Sequence, residues 1–160
     1  MNHVVTRFAP SPTGYLHIGS IRTALINYIL TKQAKIKFPN SKFLLRIEDT
    51  DKIRSKNEFT KSILTALQWL NIKWDGKVII QSERFEKHKK VAYDLLKRNL
   101  AFKCICTPKQ LDEKRLKNQK NHLNVKRLCT NCEKNSEIQK LVKDYCIRVK
   151  IPLEGKISLT

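Results

Sequence analysis

Two short stretches of this chain carry side chains whose types and spacing suit chemistry on phosphates and carboxylates. In the first, a loop rich in proline and glycine leads from Arg7 to His17 and Gly19, where an amphipathic segment begins. A helix that starts at such a loop presents unpaired N–H groups and a positive dipole end, which suit a phosphate. His17 can donate to a phosphate oxygen, and Gly19 lets a ligand approach the backbone. In the second stretch, a mostly apolar run ends at Glu48, whose carboxylate can hold an ammonium group as Arg7 can hold a carboxylate.

Three carboxylates lie just past the end of that apolar run, on Glu48, Asp49 and Asp51. In open α/β sheets, ligands bind beyond the carboxyl ends of the strands, which favours a binding site here. A solvated acidic loop or a helix cap explains Asp49 and Asp51 equally well. Arg7 and Glu48 could also pair with each other instead of with a ligand.

Four of the five cysteines form two closely spaced pairs. The pairs follow the pattern C-x-C-x22-C-x-x-C, with Cys104, Cys106, Cys129 and Cys132 as its members. This spacing suits tetrahedral zinc, and a mostly polar segment needs such a staple to become ordered. Four reduced structural thiols would explain the pattern without a metal, and His122 could replace one ligand. The fifth, Cys146, lies in an apolar strand-like run and is predicted to be a core residue.

The composition limits the class of protein. The chain has 160 residues and a formal net charge of +19, which suits one domain with an insertion and a polyanionic partner. The bias towards Lys, Ile and Asn can also reflect an AT-rich genome. No apolar run approaches the roughly 18 residues of a membrane span, and the N-terminus has no signal or transit peptide pattern. Together with cysteines that need no disulfide framework, this predicts no membrane association and a cytoplasmic location, with an organelle as the alternative.

Apolar periodicity predicts alternating strands and helices over residues 1–102. The strands are expected over His3–Phe8, Phe43–Ile47 and Val78–Ile80, and the helices over Leu16–Lys32, after a capping box at Ser55–Glu58, and over Phe85–Asn99. The crossover between the first two strands has the right length for a βαβ unit, so these strands should be parallel. The helix faces expected to pack inward carry Ile18, Ile21, Leu25, Tyr28 and Ile29, then Phe59, Ile63, Ala66, Leu67 and Leu70, and last Val91, Ala92, Leu95 and Leu96.

From residue 103 the pattern changes. A mostly polar helix is expected over Pro108–Asn121, a turn-like segment follows with the second cysteine pair, and a short helix covers Glu137–Lys143. Strand character returns over Tyr145–Ile151. We therefore predict three parts: an α/β half-domain over 1–102, an inserted cysteine-rich module over 103–144, and a return strand over 145–160.

The two chemistry-bearing stretches also resemble a known family. Arg-Phe-Ala-Pro-Ser-Pro-Thr-Gly followed by His-Ile-Gly-Ser, and then Arg-Ile-Glu-Asp-Thr-Asp, resemble the N-terminal part of bacterial and organellar glutamyl-tRNA synthetases, which are class I aminoacyl-tRNA synthetases. Weaker matches continue in the same order as far as Arg148–Pro152. The resemblance implies a Rossmann-like class I synthetase half-domain with a parallel sheet and an inserted acceptor-stem-binding module that holds the cysteines.

The resemblance also implies an activity, that of a glutamate–tRNA ligase. Such an enzyme activates glutamate with ATP and Mg²⁺ to glutamyl-adenylate and transfers it to the 3′ end of tRNA(Glu). The residues that match the family's sites are Arg7, Ala9, Ser11 and Glu48 for glutamate, His17, Gly19 and Ser20 for ATP, and the four paired cysteines for zinc. Basic residues around the module would contact acceptor-stem phosphates, among them Lys109, Lys114, Arg115, Lys117, Lys120, Lys126 and Arg127.

The match covers only the family's first half-domain. The family's second half of the catalytic domain, its mobile lysine-rich loop and its anticodon-binding region would follow Thr160, so we expect the 160-residue chain to be inactive alone and to need that half as a partner. Two other interpretations stay open: a short paralogue that glutamylates a modified base in a tRNA, and a non-enzymatic basic RNA-binding or vestigial protein.

Overall fold

A parallel β-sheet organises the first part of the chain. The computed structural model describes residues 3–121, 129, 131–141 and 143–151. It divides into two compact units, Met1–Glu86 and Lys87–Thr160. The first unit runs β1 (Val5–Phe8), α1 (Ile18–Lys37), β2 (Lys42–Ile47), α2 (Asn57–Trp69) and β3 (Ile79–Ile80), then a 3-10 turn at Ser82–Arg84. The strand order is β1-β2-β3 and both pairings are parallel, which confirms the predicted parallel sheet.

The core of the first unit lies on one face of this sheet. Its buried members are Phe8, Ala24, Phe43, Leu45, Ile47, Ile63, Leu67 and Ile72. The rings of Tyr28 on α1 and Phe43 on β2 meet edge to face with their centroids 5.8 Å apart. Ile63 and Leu67 are the buried residues of α2, as the periodicity predicts.

The predicted inward face of α1 is correct only in part: Tyr28 packs against the core and Ile21 is half-buried, but the other three predicted residues are exposed. The buried residues of this helix are Ala24 and Thr31, whereas Ile18 and Ile29 are 80% and 44% exposed. Hydroxyl groups join α1 to β1. The Thr6 side chain on β1 donates to the Asn27 carbonyl oxygen at 2.9 Å and also hydrogen-bonds to the Thr31 hydroxyl. Within the helix the Thr31 hydroxyl donates to the Asn27 carbonyl at 3.0 Å. A polarity pattern does not identify Thr31 as buried, because its contact with Thr6 forms only in the tertiary structure.

The ends of two helices also differ from the prediction. α1 continues five residues past Lys32, to Lys37, and there the Phe38 N–H donates to the Ala34 carbonyl. The capping box expected at Ser55–Glu58 is wrong, because α2 starts at Asn57 without a side-chain cap and the Ser55 hydroxyl is buried without a hydrogen-bond partner in the described part of the chain.

The second unit is a small α+β arrangement. After α3 (Phe85–Lys97) come β4 (Ala101–Cys104), α4 (Pro108–Lys120), α5 (Asn131–Lys134), α6 (Ser136–Leu141) and β5 (Cys146–Val149). β4 and β5 pair antiparallel, so that Cys104 lies opposite Cys146 and Phe102 opposite Arg148. A capping box at Thr107 and Gln110 starts α4. The boundaries at 102/103 and 144/145 stay predictions.

The core of the second unit is small and rich in sulfur. Its buried members are Phe102, Cys104, Leu111, Cys129 and Cys132. No residue of α3 is fully buried, but its half-buried residues are Ala92, Leu95 and Leu96, so the predicted inward face is correct except for the exposed Val91. Cys146 is exposed and is not a core residue. It lies on β5, which has no buried residue, whereas three of the four residues of its partner strand β4 are buried. In the described part of the chain, no helix is long and apolar enough to cross a membrane.

Candidate active site and metal centre

The loop after β1 is held at the carboxyl edge of the parallel sheet. The Glu48 N–H donates to the Pro10 carbonyl at 2.9 Å, and the Lys56 N–H donates to the Pro12 carbonyl at 3.1 Å. Gln81, just after β3, donates its N–H to the last carbonyl of β2 at 2.9 Å. These backbone bonds gather the segments after three parallel strands at the edge where α/β sheets bind ligands.

The charged side chains of the predicted glutamate site share one face of the sheet. Arg7 pairs in register with Leu44, and side chains alternate between faces along a strand. Arg7, Arg46 and Glu48 therefore lie on the face opposite to the buried Phe43 and Leu45. Arg7 is exposed and makes no ion pair with any described residue. Its guanidinium is free to bind an anion.

The partner of Glu48 is Arg46, which the sequence analysis did not identify as a site residue. The Arg46 Nη2 and Nε donate to Glu48 Oε1 at 2.5 and 3.2 Å, and both side chains are about two-thirds buried. The possible direct pair between Arg7 and Glu48 is not formed. The i, i+2 spacing on a predicted strand was the signal for Arg46, since it places both side chains on one face.

The two neighbouring aspartates have structural roles. Asp51 accepts from the Ile53 and Arg54 N–H groups and from the Arg54 side chain, which closes a local turn. Asp49 accepts from the Ser82 N–H at 2.9 Å and from its hydroxyl at 2.5 Å, and so ties the end of β2 to the 3-10 turn. Burial raises the pKa of Asp49, but the Ser82 hydrogen bonds outweigh it and hold the pKa below its usual value of 3.8.

We expect Ser82→Ala to destabilise the first unit at neutral pH by about 1–2 kcal/mol, because it removes a hydrogen bond to a charged, half-buried carboxylate. Since the folded-state pKa of Asp49 lies below 3.8, its ionised form stabilises the fold fully above about pH 4, and the stabilisation is lost as the pH falls further. Urea unfolding at neutral and acidic pH measures both effects. Thr65→Ala, at an exposed hydroxyl on α2, is the control; an equal loss in both variants would contradict the prediction.

His17 caps the N-terminus of α1 with its own side chain. Its backbone is extended, with φ −107° and ψ 165°, and its Nδ1 accepts from the Gly19 N–H at 3.2 Å. Because Nδ1 accepts, the ring proton is on Nε2, and it points to the Ser20 hydroxyl 3.1 Å away. Ser20 thus orients the ring, and the cap itself is His17.

Gly19 lies in close contact with the capping ring. A Cβ at Gly19 would lie 3.0 Å from His17 Cε1 and 3.1 Å from Nδ1, so a larger residue here would require the imidazole to shift by a few tenths of an ångström. The remaining predicted site residues, Ala9 and Ser11, lie in the pinned loop, half-buried and exposed respectively. The structure thus places the predicted ATP residues, Ala9, Ser11 and Glu48 on segments that follow the carboxyl ends of β1 and β2, while Arg7 lies within β1, next to its last residue.

The four paired cysteines converge in the second unit. The Cys129 sulfur lies 3.3 Å from the sulfurs of Cys104 and Cys106, Cys132 lies 3.7 Å from Cys106, and all four sulfurs fall within 4.8 Å of one another. Tetrahedral zinc with thiolate ligands at 2.3 Å separates its sulfurs by about 3.8 Å, so the cluster fits this metal. The alternative ligand His122 lies outside the described residues.

The close spacing and burial of the cysteines shift the pKa values of two of them, Cys104 and Cys129, in a way that favours the binding of a cation. Burial and the neighbouring thiols raise the pKa of Cys129. Burial also raises the pKa of Cys104, but hydrogen bonds from Arg148 and from the Cys106 N–H outweigh it and lower the pKa to about 6. Four thiolates this close repel one another unless a metal ion binds between them.

A groove of about 480 Å³ runs along this cluster and α4. Its lining includes Cys106, Cys132, Lys114 and Lys117. Lys109, Arg115 and Lys120 lie exposed on the same helix, whereas Lys126 and Arg127 lie outside the described residues. The described part of the module therefore presents its lysines beside the cysteine cluster.

A parallel sheet whose first loop opens into a capped helix N-terminus, with opposed charges at the strand ends, defines a Rossmann-like α/β fold. Residues 3–160 match the family model described as tRNA synthetases class I (E and Q), catalytic domain. The chain belongs to this family, and the predicted fold class is confirmed.

The chain is also similar to individual glutamate–tRNA ligases. It is 42% identical to glutamate–tRNA ligase 2 of Ehrlichia chaffeensis over 99% of this chain and 32% of the relative, and 44% identical to the enzyme of Thermodesulfovibrio yellowstonii over 96% and 31%. The crystal structure of a glutamate tRNA ligase from Elizabethkingia meningosepticum in complex with its amino acid matches with a TM-score of 0.62 and 34% identity, over 75% of this chain and 24% of that one. The chain spans about a third of the length of the curated relatives it matches.

Proposed function

We propose that this chain supplies the N-terminal part of the catalytic domain of a glutamate–tRNA ligase. The observation that carries the proposal is the shared sheet face on which an unpaired Arg7 lies near an Arg46–Glu48 pair, next to the loop that leads to His17. The names of the relatives favour this function over the paralogue and over a non-enzymatic RNA-binding protein.

The amino acid would be recognised by opposed charges on this face. The free guanidinium of Arg7 suits a bidentate pair with a substrate carboxylate, and Glu48 suits the α-ammonium group. Arg46 keeps the Glu48 carboxylate in one orientation while one of its oxygens stays open to the ligand. Ala9 would line the site with its backbone, and Ser11, exposed in the pinned loop, would donate a hydrogen bond.

ATP would lie at the N-terminus of α1. The Nε2 proton of His17, which Ser20 accepts in this structure, is the one that a phosphate oxygen would accept instead. Gly19 leaves the space in which the phosphate approaches the backbone. When bound, Mg²⁺ would neutralise phosphate charge, and this chain would contribute the positioning of the two reactants.

The second unit would bind zinc and the acceptor end of tRNA(Glu). The four cysteines supply a complete tetrahedral donor set, and the lysines of α4 beside it suit phosphate contacts. The remaining two thirds of the length of the relatives would complete the active site as its partner.

Glutamate-dependent exchange of pyrophosphate into ATP tests the function. The expected result, in a protein that joins this chain to the remaining length of its relatives and with tRNA present, is exchange with glutamate that exceeds exchange with glutamine or aspartate by at least tenfold. Exchange that is equal with all three amino acids, or absent from a folded protein, would contradict the proposal.

A further inference from the structure

We propose that Arg148 is a positioning residue of the metal centre: its guanidinium holds the Cys104 sulfur by a hydrogen bond and offsets the negative charge of the four thiolates. The inference rests on the proposed metal site. It concerns a residue outside the cysteine pattern, on β5, the strand that follows the four paired cysteines in the sequence.

The strand register brings Arg148 to the cluster. In the antiparallel ribbon, Phe102 lies opposite Arg148 and Cys104 opposite Cys146, so Arg148 is the diagonal neighbour of Cys104 on the same face. A long side chain can reach across this diagonal, and the Arg148 guanidinium acts on the Cys104 sulfur strongly enough to lower the pKa of that thiol. Phe102 and Cys104 are both buried, so this face of the ribbon is the one turned to the sulfur core.

The surroundings of the half-buried Arg148 side chain point to an anion beside it. The Arg148 Nε is buried and has no hydrogen-bond partner in the described part of the chain. Within the same described residues, no carboxylate lies at ion-pair distance from Arg148. A buried cation without a carboxylate is costly unless another negative group faces it, and thiolate is the negative group on this face.

The other cations near the ribbon are engaged elsewhere. The Lys150 ammonium donates to the Asn99 side chain at 2.6 Å and lies 3.9 Å from the Glu133 carboxylate. The Lys103 ammonium lies over the ring of Tyr145, 4.8 Å from its centroid, on the opposite face of the ribbon. Four thiolates around a divalent cation leave a net charge of −2, and Arg148 is placed to reduce it. Groups that hydrogen-bond to ligands in this way orient them and tune the metal.

The experiment compares metal binding by the wild-type chain with that by Arg148→Met, which keeps a long apolar stem, and by Arg148→Lys, which keeps the charge. Arg98→Met, at an exposed arginine whose partner is Asp94, is the matched control. Zinc affinity is measured by competition with a chelator, and the absorption of the cobalt-substituted chain reports on the thiolate ligands. The wild-type zinc content is determined first, because a wild-type chain without metal refutes the metal site itself.

We expect Arg148→Met to bind zinc at least tenfold more weakly than the wild type, and Arg98→Met to be unchanged. The thiolate-to-cobalt charge-transfer band should move to lower energy in Arg148→Met, since the thiolate loses its hydrogen bond, and Arg148→Lys should restore most of the affinity. The inference would be overturned if the wild type binds zinc and the Arg148→Met chain binds it with an affinity within twofold of the wild type and shows an unchanged cobalt charge-transfer band. If Arg148→Met does not fold, the zinc affinity of Arg148→Lys tests the inference. An affinity within fivefold of the wild type supports the charge role of Arg148, and a larger loss refutes it.

Discussion

Replacing Arg7 with alanine should reduce glutamate activation by roughly 10²- to 10³-fold, about 3–4 kcal/mol of transition-state stabilisation. Arg7 is exposed on its sheet face and makes no ion pair with any described residue, so its removal should leave the fold intact. The loss arises because the substrate carboxylate would then be buried without its cation. Pyrophosphate exchange as a function of glutamate concentration, in the protein that joins this chain to the remaining length of its relatives, measures it.

The matched control for Arg7→Ala is Arg98→Ala, which removes a guanidinium from the end of α3, where its partner is the exposed Asp94. This variant should keep wild-type exchange. If Arg7→Ala keeps activity within twofold of the wild type, Arg7 does not bind the substrate carboxylate. If both variants lose activity equally, the effect is one of general charge on the approach of ATP or tRNA.

Removing the metal should unfold the second unit. Apart from the cysteines, the large buried apolar residues in the described part of that unit are Phe102 and Leu111, whereas structural zinc contributes on the order of 10 kcal/mol to folding at neutral pH. We expect about one zinc per chain by elemental analysis. A high-affinity chelator should abolish the hydrogen-exchange protection of β4 and β5, while the strands of the first unit keep theirs.

Two cysteine variants separate ligation from a general effect of thiol loss. Cys132→Ser removes a sulfur of the cluster and should lose zinc, with the same loss of protection. Cys146→Ser removes an exposed sulfur that is not part of the cluster and whose hydrogen bond goes to the Cys104 carbonyl, so it should retain zinc. A zinc-free wild type that keeps its protection after chelation would show that the four thiols stabilise the unit without a metal.

Much of the candidate site was predictable because its features are local in the chain. The loop before α1, the His17–Gly19 turn and the Cys pairs are defined over a few residues each, so their spacing alone predicts a helix N-terminus and a metal donor set. Strand positions and the parallel sheet followed from short apolar runs and from crossover length, and both agree with the structure.

Contacts between distant segments were not predictable in this way. Ser82 as the partner of Asp49 and Thr31 as a buried residue of α1 both depend on a second segment 25 or more residues away. The capping box shows the same limit, because Ser55 fits the local pattern, yet its hydroxyl is buried without a partner and Thr107 forms the box that exists.

By itself, the sequence determined which residue types could do chemistry and in what order the elements follow, because these depend on spacing along the chain. Only the tertiary structure decided which charges meet: Arg46 binds Glu48 and leaves Arg7 free, and the strand register places Arg148 diagonal to Cys104 on one face of the ribbon. The reason is physical. Hydrogen bonds and ion pairs act over a few ångströms in space, and the register of a strand, set by the packing of the whole sheet, determines which side chains come within that distance.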